Sequence, residues 1–207
     1  GGGGRVDSQY ASVELDGALT STLFYTVFGT FQTGRMLTYV EDDDTIDGGS
    51  YRYKPIFAGA GGAGMRYYFP EMLAQRTGFN VLVGTGDSGA ASVIEGNENG
   101  ASTLFVPIAG ATVGQVLGAG LGNNVSVHAF YSIKPFVDSP TREIQDLQFG
   151  LDAFTFIRLV EGPVPADGVR AGGSGNYLGS EIDASVNYRP FSDLGISLAG
   201  GVFFPNG

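Results

Sequence analysis

The chain has 207 residues, no cysteine and a net charge of −10, and 15% of its residues are charged. The lack of cysteine excludes a disulfide scaffold and thiolate metal sites, and the acidic balance disfavours binding to a nucleic-acid backbone. A hydrophobic content of 43% is too high for a disordered chain. We expect one domain over residues 1–207, with no cofactor and no nucleic-acid partner.

Apolar and polar residues alternate along most of the chain. The clearest case is 125–135, VSVHAFYSIKP, where every second side chain is apolar or aromatic and the others include His128 and Lys134. A period of two is typical of a β-strand whose two faces meet different surroundings. The same pattern predicts eight strands in chain order, near residues 8–19, 22–40, 51–69, 77–85, 124–135, 145–160, 178–190 and 194–204.

Two architectures accommodate such strands, a soluble sandwich with an apolar interior and a membrane barrel with an apolar exterior. The expected connections alternate between short ones, near 17–20, 70–76, 136–143 and 190–193, and long ones, at 41–50, 86–122 and 161–176. Outer-membrane barrels alternate short periplasmic turns with long outer loops. We therefore predict an all-β, antiparallel, up-and-down transmembrane β-barrel in the cell outer membrane, in contact with lipid and lipopolysaccharide.

The strand directions predict that these residues are part of a larger barrel. If the short turns are periplasmic, the first strand runs inward and the last strand runs outward, so both ends lie on the outer side. Bacterial barrels normally begin and end in the periplasm. We expect at least one further strand at each end, and a protein mass matching these 207 residues alone would contradict this.

The segment 178–207, LGSEIDASVNYRPFSDLGISLAGGVFFPNG, resembles the late hairpin of the alginate-export-type outer-membrane porins. In that family one strand reads approximately E-I-D … Y-R-P and the next ends in F-F-P-G, matched here by 181–183, 188–190 and 203–205. Looser similarity covers 117–135 and 10–34. The resemblance implies a porin with more than eight strands. It does not extend to alginate specificity, because the basic substrate cluster of the family is not matched here.

The polar faces of the predicted strands carry charged and amide side chains of both signs. Opposed charges in a lumen filter solutes by charge and size. The expected lumen-lining residues are Glu14, Asp16, Arg52, Lys54, Arg66, His128, Lys134, Asp152, Arg158, Glu181, Asp183, Asn187 and Arg189. We predict a non-enzymatic porin for small hydrophilic solutes, with anionic solutes and saccharides as candidate classes.

Two other functions stay open. A structural barrel would anchor outer loops to other envelope proteins or to a second copy of the chain. A lipid-acting barrel enzyme would need His128 beside a nucleophile, and Ser126 and Ser132 share its face. Strand spacings of about 7 and 13 Å separate these serines from the histidine, which is long for a hydrogen bond.

The long loop of residues 86–123 exceeds what a plain connection requires. Its middle, 104–110, is apolar and contains the constriction candidates Phe105, Val106, Pro107 and Ile108. Such a segment folds into the lumen as a constriction, packs on a partner protein, or forms a small core of its own within an outer loop.

The acidic segment 41–48 partly matches a calcium-binding loop. Asp43 and Asp47 fall at positions 1 and 5 of an EF-hand loop, but position 12 is Lys54, where a bidentate glutamate is required. We therefore predict no metal site. The favoured interpretation is a solvated acidic loop that divalent ions bridge to lipopolysaccharide.

Overall fold

The computed structural model describes residues 6–41, 48–108, 112–166, 168–169, 175–191 and 193–206. The eight long strands are β1 (Val6–Ala18), β2 (Leu23–Glu41), β3 (Gly49–Phe69), β4 (Gln75–Gly84), β9 (Asn124–Ile133), β10 (Gln148–Arg158), β11 (Tyr177–Phe191) and β12 (Leu194–Pro205). The short elements are β5 (Ala90–Ser92), β6 (Glu95–Asn97), β7 (Thr112–Val113), β8 (Ala119–Gly120) and a one-turn helix, α1 (Arg142–Gln145). Asp43 and Asp47 lie outside the described residues.

The eight long strands form one antiparallel sheet in the order β1-β2-β3-β4-β9-β10-β11-β12. The predicted set of eight antiparallel strands is confirmed, and each strand lies within a few residues of its expected bounds. The sheet is open, because β1 and β12 form its two edges and do not pair with each other. No helix in the described part of the chain is long and apolar enough to cross a membrane.

The antiparallel register carries the period of two from strand to strand, so the sheet has two unlike faces. On one face Leu15 pairs with Val27, Val27 with Ala63, Ala63 with Val81 and Val81 with Val127. We call this side the apolar face. Its large hydrophobic side chains are substantially exposed, and no other described element covers them.

The opposite side of the sheet is partly covered by the described residues 85–108 and 112–123 of the long connection, and we call it the loop face. One buried cluster joins Met36, Ile56 and Ala58 of the sheet to Phe105 of this connection. A second cluster, further along the sheet, brings loop residues onto Phe156. The buried core therefore lies between the sheet and its own loop rather than between two sheets, which is not the arrangement of a sandwich.

The connections do not alternate in length as regularly as expected. The connection from β9 to β10, 134–147, contains the unpredicted helix α1 and is longer than the one from β2 to β3, 42–48. The second is short because the β2–β3 ladder continues to the pair Glu41 and Gly49, well beyond the end of β4 at Gly84. We call the end of the sheet with connections 19–22, 70–74, 134–147 and 192–193 the turn end.

Candidate functional site

The register places the expected lumen-lining residues of the strands together on the loop face. These are Glu14, Asp16, Arg52, Lys54, Arg66, His128, Asp152, Arg158, Glu181, Asp183 and Asn187. Lys134 follows the end of β9, and Arg189 lies where the β11–β12 register shifts. Their environments differ, because Glu14, Asp16, Arg52 and Arg66 are exposed whereas Arg158, Glu181 and Asp183 are buried.

Glu181 of β11 attaches the long loop to the sheet. Its fully buried carboxylate accepts hydrogen bonds from the backbone N–H groups of Gln115, of Val116 at 2.8 Å and of Leu117 at 2.9 Å. Asp183 accepts a further bond from the Gln115 N–H at 3.2 Å. Successive N–H groups turned to one side form a concave anion-binding site, and bonds to a charged acceptor are stronger than neutral ones. We call these contacts the Glu181 latch.

A glycine makes the Glu181 latch possible. Gly114 has a φ of +81°, and a Cβ atom there would lie 2.8 Å from the Oε1 atom of Glu181. A larger residue at position 114 would combine an unfavourable backbone conformation with a collision against the carboxylate.

The other side of the loop is held by Gln32 of β2. The buried Gln32 side chain accepts a hydrogen bond from the Val106 N–H at 2.9 Å and donates one to the Tyr10 hydroxyl at 3.1 Å. The Tyr10 hydroxyl in turn donates to the Val106 carbonyl. Phe105 is 4% exposed and meets the Tyr10 ring edge-on.

The four constriction candidates therefore have different positions. Phe105 is buried against the sheet and Val106 is held by hydrogen bonds to the Gln32 and Tyr10 side chains, whereas Pro107 is half-buried and Ile108 is 81% exposed. Within this apolar segment Leu104 and Phe105 are buried, and Phe105 packs onto the sheet, on the face predicted to line the lumen.

Two polar residues that the sequence pattern does not single out organise the loop. Buried Asp87 accepts hydrogen bonds from the N–H groups of Gly89 and Thr103 and from the side-chain amide of Asn97. Buried Asn123 donates to the carbonyls of 160 and 163 and so ties the 85–123 loop to the 159–176 connection. The Asp-Ser-Gly sequence at 87–89 is a turn signature that could have identified the first of them.

His128 belongs to a hydrogen-bonded row across three strands. Its Nε2 atom lies 2.7 Å from Oδ1 of Asp152, its Nδ1 atom lies 3.1 Å from the amide nitrogen of Asn80, and its ring stacks on Phe154 at 4.2 Å. The two serines on its face have other partners. Ser126 accepts a bond from Asn124, and Ser132 accepts one from Gln148.

Three cavities follow one another on the loop face towards the turn end. The innermost, about 80 Å³, is lined by side chains that include Arg76, Phe130 and Asp152, and the Arg76 guanidinium lies 5.2 Å from the centre of the Phe130 ring. A cavity of about 280 Å³ shares Gln148 and Asn187 with it. The outermost, about 610 Å³, shares Asp146 and Arg189 with the second. Hydrogen-bond donors and acceptors, together with charges of both signs, therefore line these cavities along one side of the sheet.

An ion pair lies at the mouth of these cavities. The Lys134 ammonium donates to Oδ1 of Asp146 at 2.7 Å, and this bond and charge hold the pKa of the Asp146 carboxyl below its usual value. In the described part of the chain, no cluster of three or more histidine, aspartate or glutamate side chains is arranged to hold a metal ion.

Comparison of the sequence with known proteins gives no match, either to a protein-family model or to a curated protein.

Proposed function

We propose that the protein is an outer-membrane channel for small hydrophilic solutes, with its apolar face in lipid and its loop face lining the lumen. The exposed apolar face carries this proposal. Leu198 is 72% exposed, Val13 68%, Phe31 51% and Ile182 49%, and these side chains lie on strands from one edge of the sheet to the other. Soluble monomers rarely expose a continuous apolar patch of more than a few hundred Å².

The apolar face has polar and aromatic boundaries of the kind found at membrane surfaces. At the end of the sheet opposite the turn end, Arg35 pairs with Asp7 at 3.1 Å and lies over the Tyr53 ring at 4.8 Å. On β3 the stretch between Phe57 and Tyr67 carries no charge on this face. In a strand tilted by about 40°, ten residues rise about 25 Å, the height of the apolar band of an outer-membrane barrel.

The loop face offers the chemistry of a diffusion pathway. Its charges have both signs, and its cavities are lined by carboxylate, guanidinium, amide and hydroxyl groups that replace water contacts of a passing solute. Anionic solutes and saccharides are the classes we propose, because each can use the donors and acceptors in these cavities. Phe105 and Val106, fixed against the sheet, belong to the segment that narrows the pathway.

Ion conductance in a planar lipid bilayer tests this function. Purified protein added to the bilayer should produce discrete conductance steps, and protein unfolded by heat in the same detergent should produce none. Insertion into vesicles without any conductance would contradict the channel.

One observation favours a second candidate, a structural barrel that anchors the outer loops. The 85–123 loop is fixed to the loop face both by the Glu181 latch and by Gln32, as a plug would be. The two candidates differ in one measurable respect, because a plugged barrel inserts into the bilayer and stays closed.

A further inference from the structure

We propose that the innermost cavity of the loop face binds zwitterionic α-amino acids, with the solute carboxylate on Arg76 and its ammonium group on Asp152. The inference rests on the proposed channel and adds a class of solute to it. The described residues that line the cavity include one cation and one anion, which form no ion pair with each other. These lining residues belong to β4, β9, β10 and β11, in the interior of the sheet.

Arg76 presents its positive charge to this cavity. Its guanidinium lies 5.2 Å from the centre of the Phe130 ring, a cation–π contact that orients the group. Within the described part of the chain, the Arg76 side chain forms neither a hydrogen bond nor an ion pair, and its buried Nε atom has no acceptor. The planar guanidinium matches the two oxygens of a carboxylate, so a solute carboxylate supplies the missing partner.

Asp152 supplies the negative charge of the cavity. Its Oδ1 atom accepts a hydrogen bond from Nε2 of His128 at 2.7 Å, and Nδ1 of the same ring faces the amide nitrogen of Asn80 at 3.1 Å. An amide nitrogen only donates, so Nδ1 accepts and the imidazole ring is neutral. Asp152 therefore keeps its negative charge, and its Oδ2 atom, which has no hydrogen-bond partner among the described residues, is left for an ammonium group.

The register of the strands keeps Arg76 and Asp152 apart. Because β9 lies between β4 and β10, the backbones that carry the two charges are about 10 Å apart. Ser132 pairs with Arg76 on one side and with Gly150 on the other. The small size of Ser132 and Gly150 leaves open the space that the cavity occupies. A solute that carries both charges can therefore bridge two protein charges that are not paired with each other.

The volume and the charges of the cavity select the class of solute. A volume of about 80 Å³ has room for roughly five to eight water-sized groups. The ammonium group, α-carbon and carboxylate of an amino acid fit this space, whereas a sugar ring with its hydroxyl groups does not. Asp152 repels a lone anion and Arg76 repels a lone cation, but a zwitterion is attracted at both ends. The amino-acid side chain extends into the adjoining cavity of about 280 Å³.

Titration of the purified protein in detergent tests the site without requiring a membrane. Saturation-transfer NMR near neutral pH gives the Kd values of glycine, acetate and methylamine. Glycine carries both charges, acetate only the carboxylate and methylamine only the ammonium group. We expect glycine to bind at least about 10-fold more tightly than acetate or methylamine, because only glycine forms hydrogen bonds to both charged groups.

Charge-removing variants assign the two ends of the solute. Arg76→Gln should weaken the binding of glycine and of acetate by about 10-fold or more. Asp152→Asn should weaken glycine binding by a similar factor but strengthen acetate binding, because it removes a repulsion, and a misfolded protein would not show this gain. Arg35→Gln and Asp7→Asn are the matched controls, since this pair also includes an arginine over an aromatic ring but lies outside the cavity. Both controls should bind glycine like the natural protein.

Two results would overturn the proposed site. One is equal affinity for glycine, acetate and methylamine, and the other is equal glycine binding by Arg76→Gln and the natural protein. Conductance in a planar bilayer, recorded on the same preparations, separates the site from the channel. Conductance steps from a protein that does not bind glycine would keep the channel and overturn the site. Glycine binding with both variant effects but without conductance would keep the site and contradict the channel.

Discussion

At the scale of single residues, the Glu181 latch attaches residues 115–117 of the loop to strand β11. A fully buried carboxylate is stable only when hydrogen bonds replace its lost hydration. Within the described part of the chain, Glu181 meets this condition with the backbone N–H groups of Gln115, Val116 and Leu117. The position of residues 115–117 therefore depends mainly on the Glu181 carboxylate of β11, with one further bond from Gln115 to Asp183.

Replacing Glu181 by glutamine tests the Glu181 latch. Glu181→Gln keeps the side-chain shape but removes the charge, and bonds to a charged group contribute about 1.5–3 kcal/mol each. We expect hydrogen exchange at the amides of 115–117 to accelerate by about 10- to 100-fold. Asp16→Asn, which neutralises an exposed carboxylate on the same face, should leave these amides unchanged. Equal protection in Glu181→Gln and the natural protein would contradict the assigned role.

At the scale of elements, the 85–123 loop depends on apolar packing as well as on the Glu181 latch. Phe105 is 4% exposed, and truncation of a buried phenylalanine to alanine typically costs about 3–5 kcal/mol. Phe105→Ala should therefore lower the unfolding temperature in detergent and make single-channel conductance larger or less steady. Ile108→Ala provides the control, because Ile108 is 81% exposed and its truncation removes little packing. If both variants behave like the natural protein, Phe105 does not hold the constriction in place.

The strands could be located from the sequence because their signal is local. In β9 the alternation of residues is visible without any knowledge of neighbouring strands, and the predicted range 124–135 differs from Asn124–Ile133 only at its end. The helix α1 was missed, since four residues are too few to display a helical period. The predicted regular alternation of connection lengths was also too simple. The real lengths depend on where α1 and the long β2–β3 ladder lie, and neither position is visible in the local pattern.

The attachment of the loop could be predicted only in part. The apolar run at 104–110 indicated burial, and Phe105 is buried. The pairing of Glu181 with Gln115 joins residues 66 positions apart, and such a contact exists only after the sheet has brought β11 under the loop. The exposure of Ile108 could not be predicted either, since exposure within a loop follows the fold of the loop and not the hydrophobicity of the residue.

At the scale of the whole molecule, the proposed channel requires that one face of the sheet meets lipid. Leu198→Lys places a charge on the apolar face, where lysine near the bilayer midplane costs about 2–4 kcal/mol. We expect a clear fall in the fraction of protein that inserts into vesicles, measured by flotation with lipid. Ala199→Lys, the adjacent residue on the loop face, should insert almost as well as the natural protein. Equal insertion of the two variants would mean that the two faces do not differ in their surroundings.

The most direct test of whether the apolar face lies in lipid is a spin-label scan along β10 in lipid vesicles. Each label can be placed at one engineered cysteine, because the chain has none of its own. Labels at 149, 151 and 153 should be accessible to lipid-soluble oxygen, and labels at 150 and 152 to a water-soluble nickel reagent, with a period of two. Equal accessibility of all five positions to the nickel reagent would contradict a membrane barrel with its apolar face in lipid.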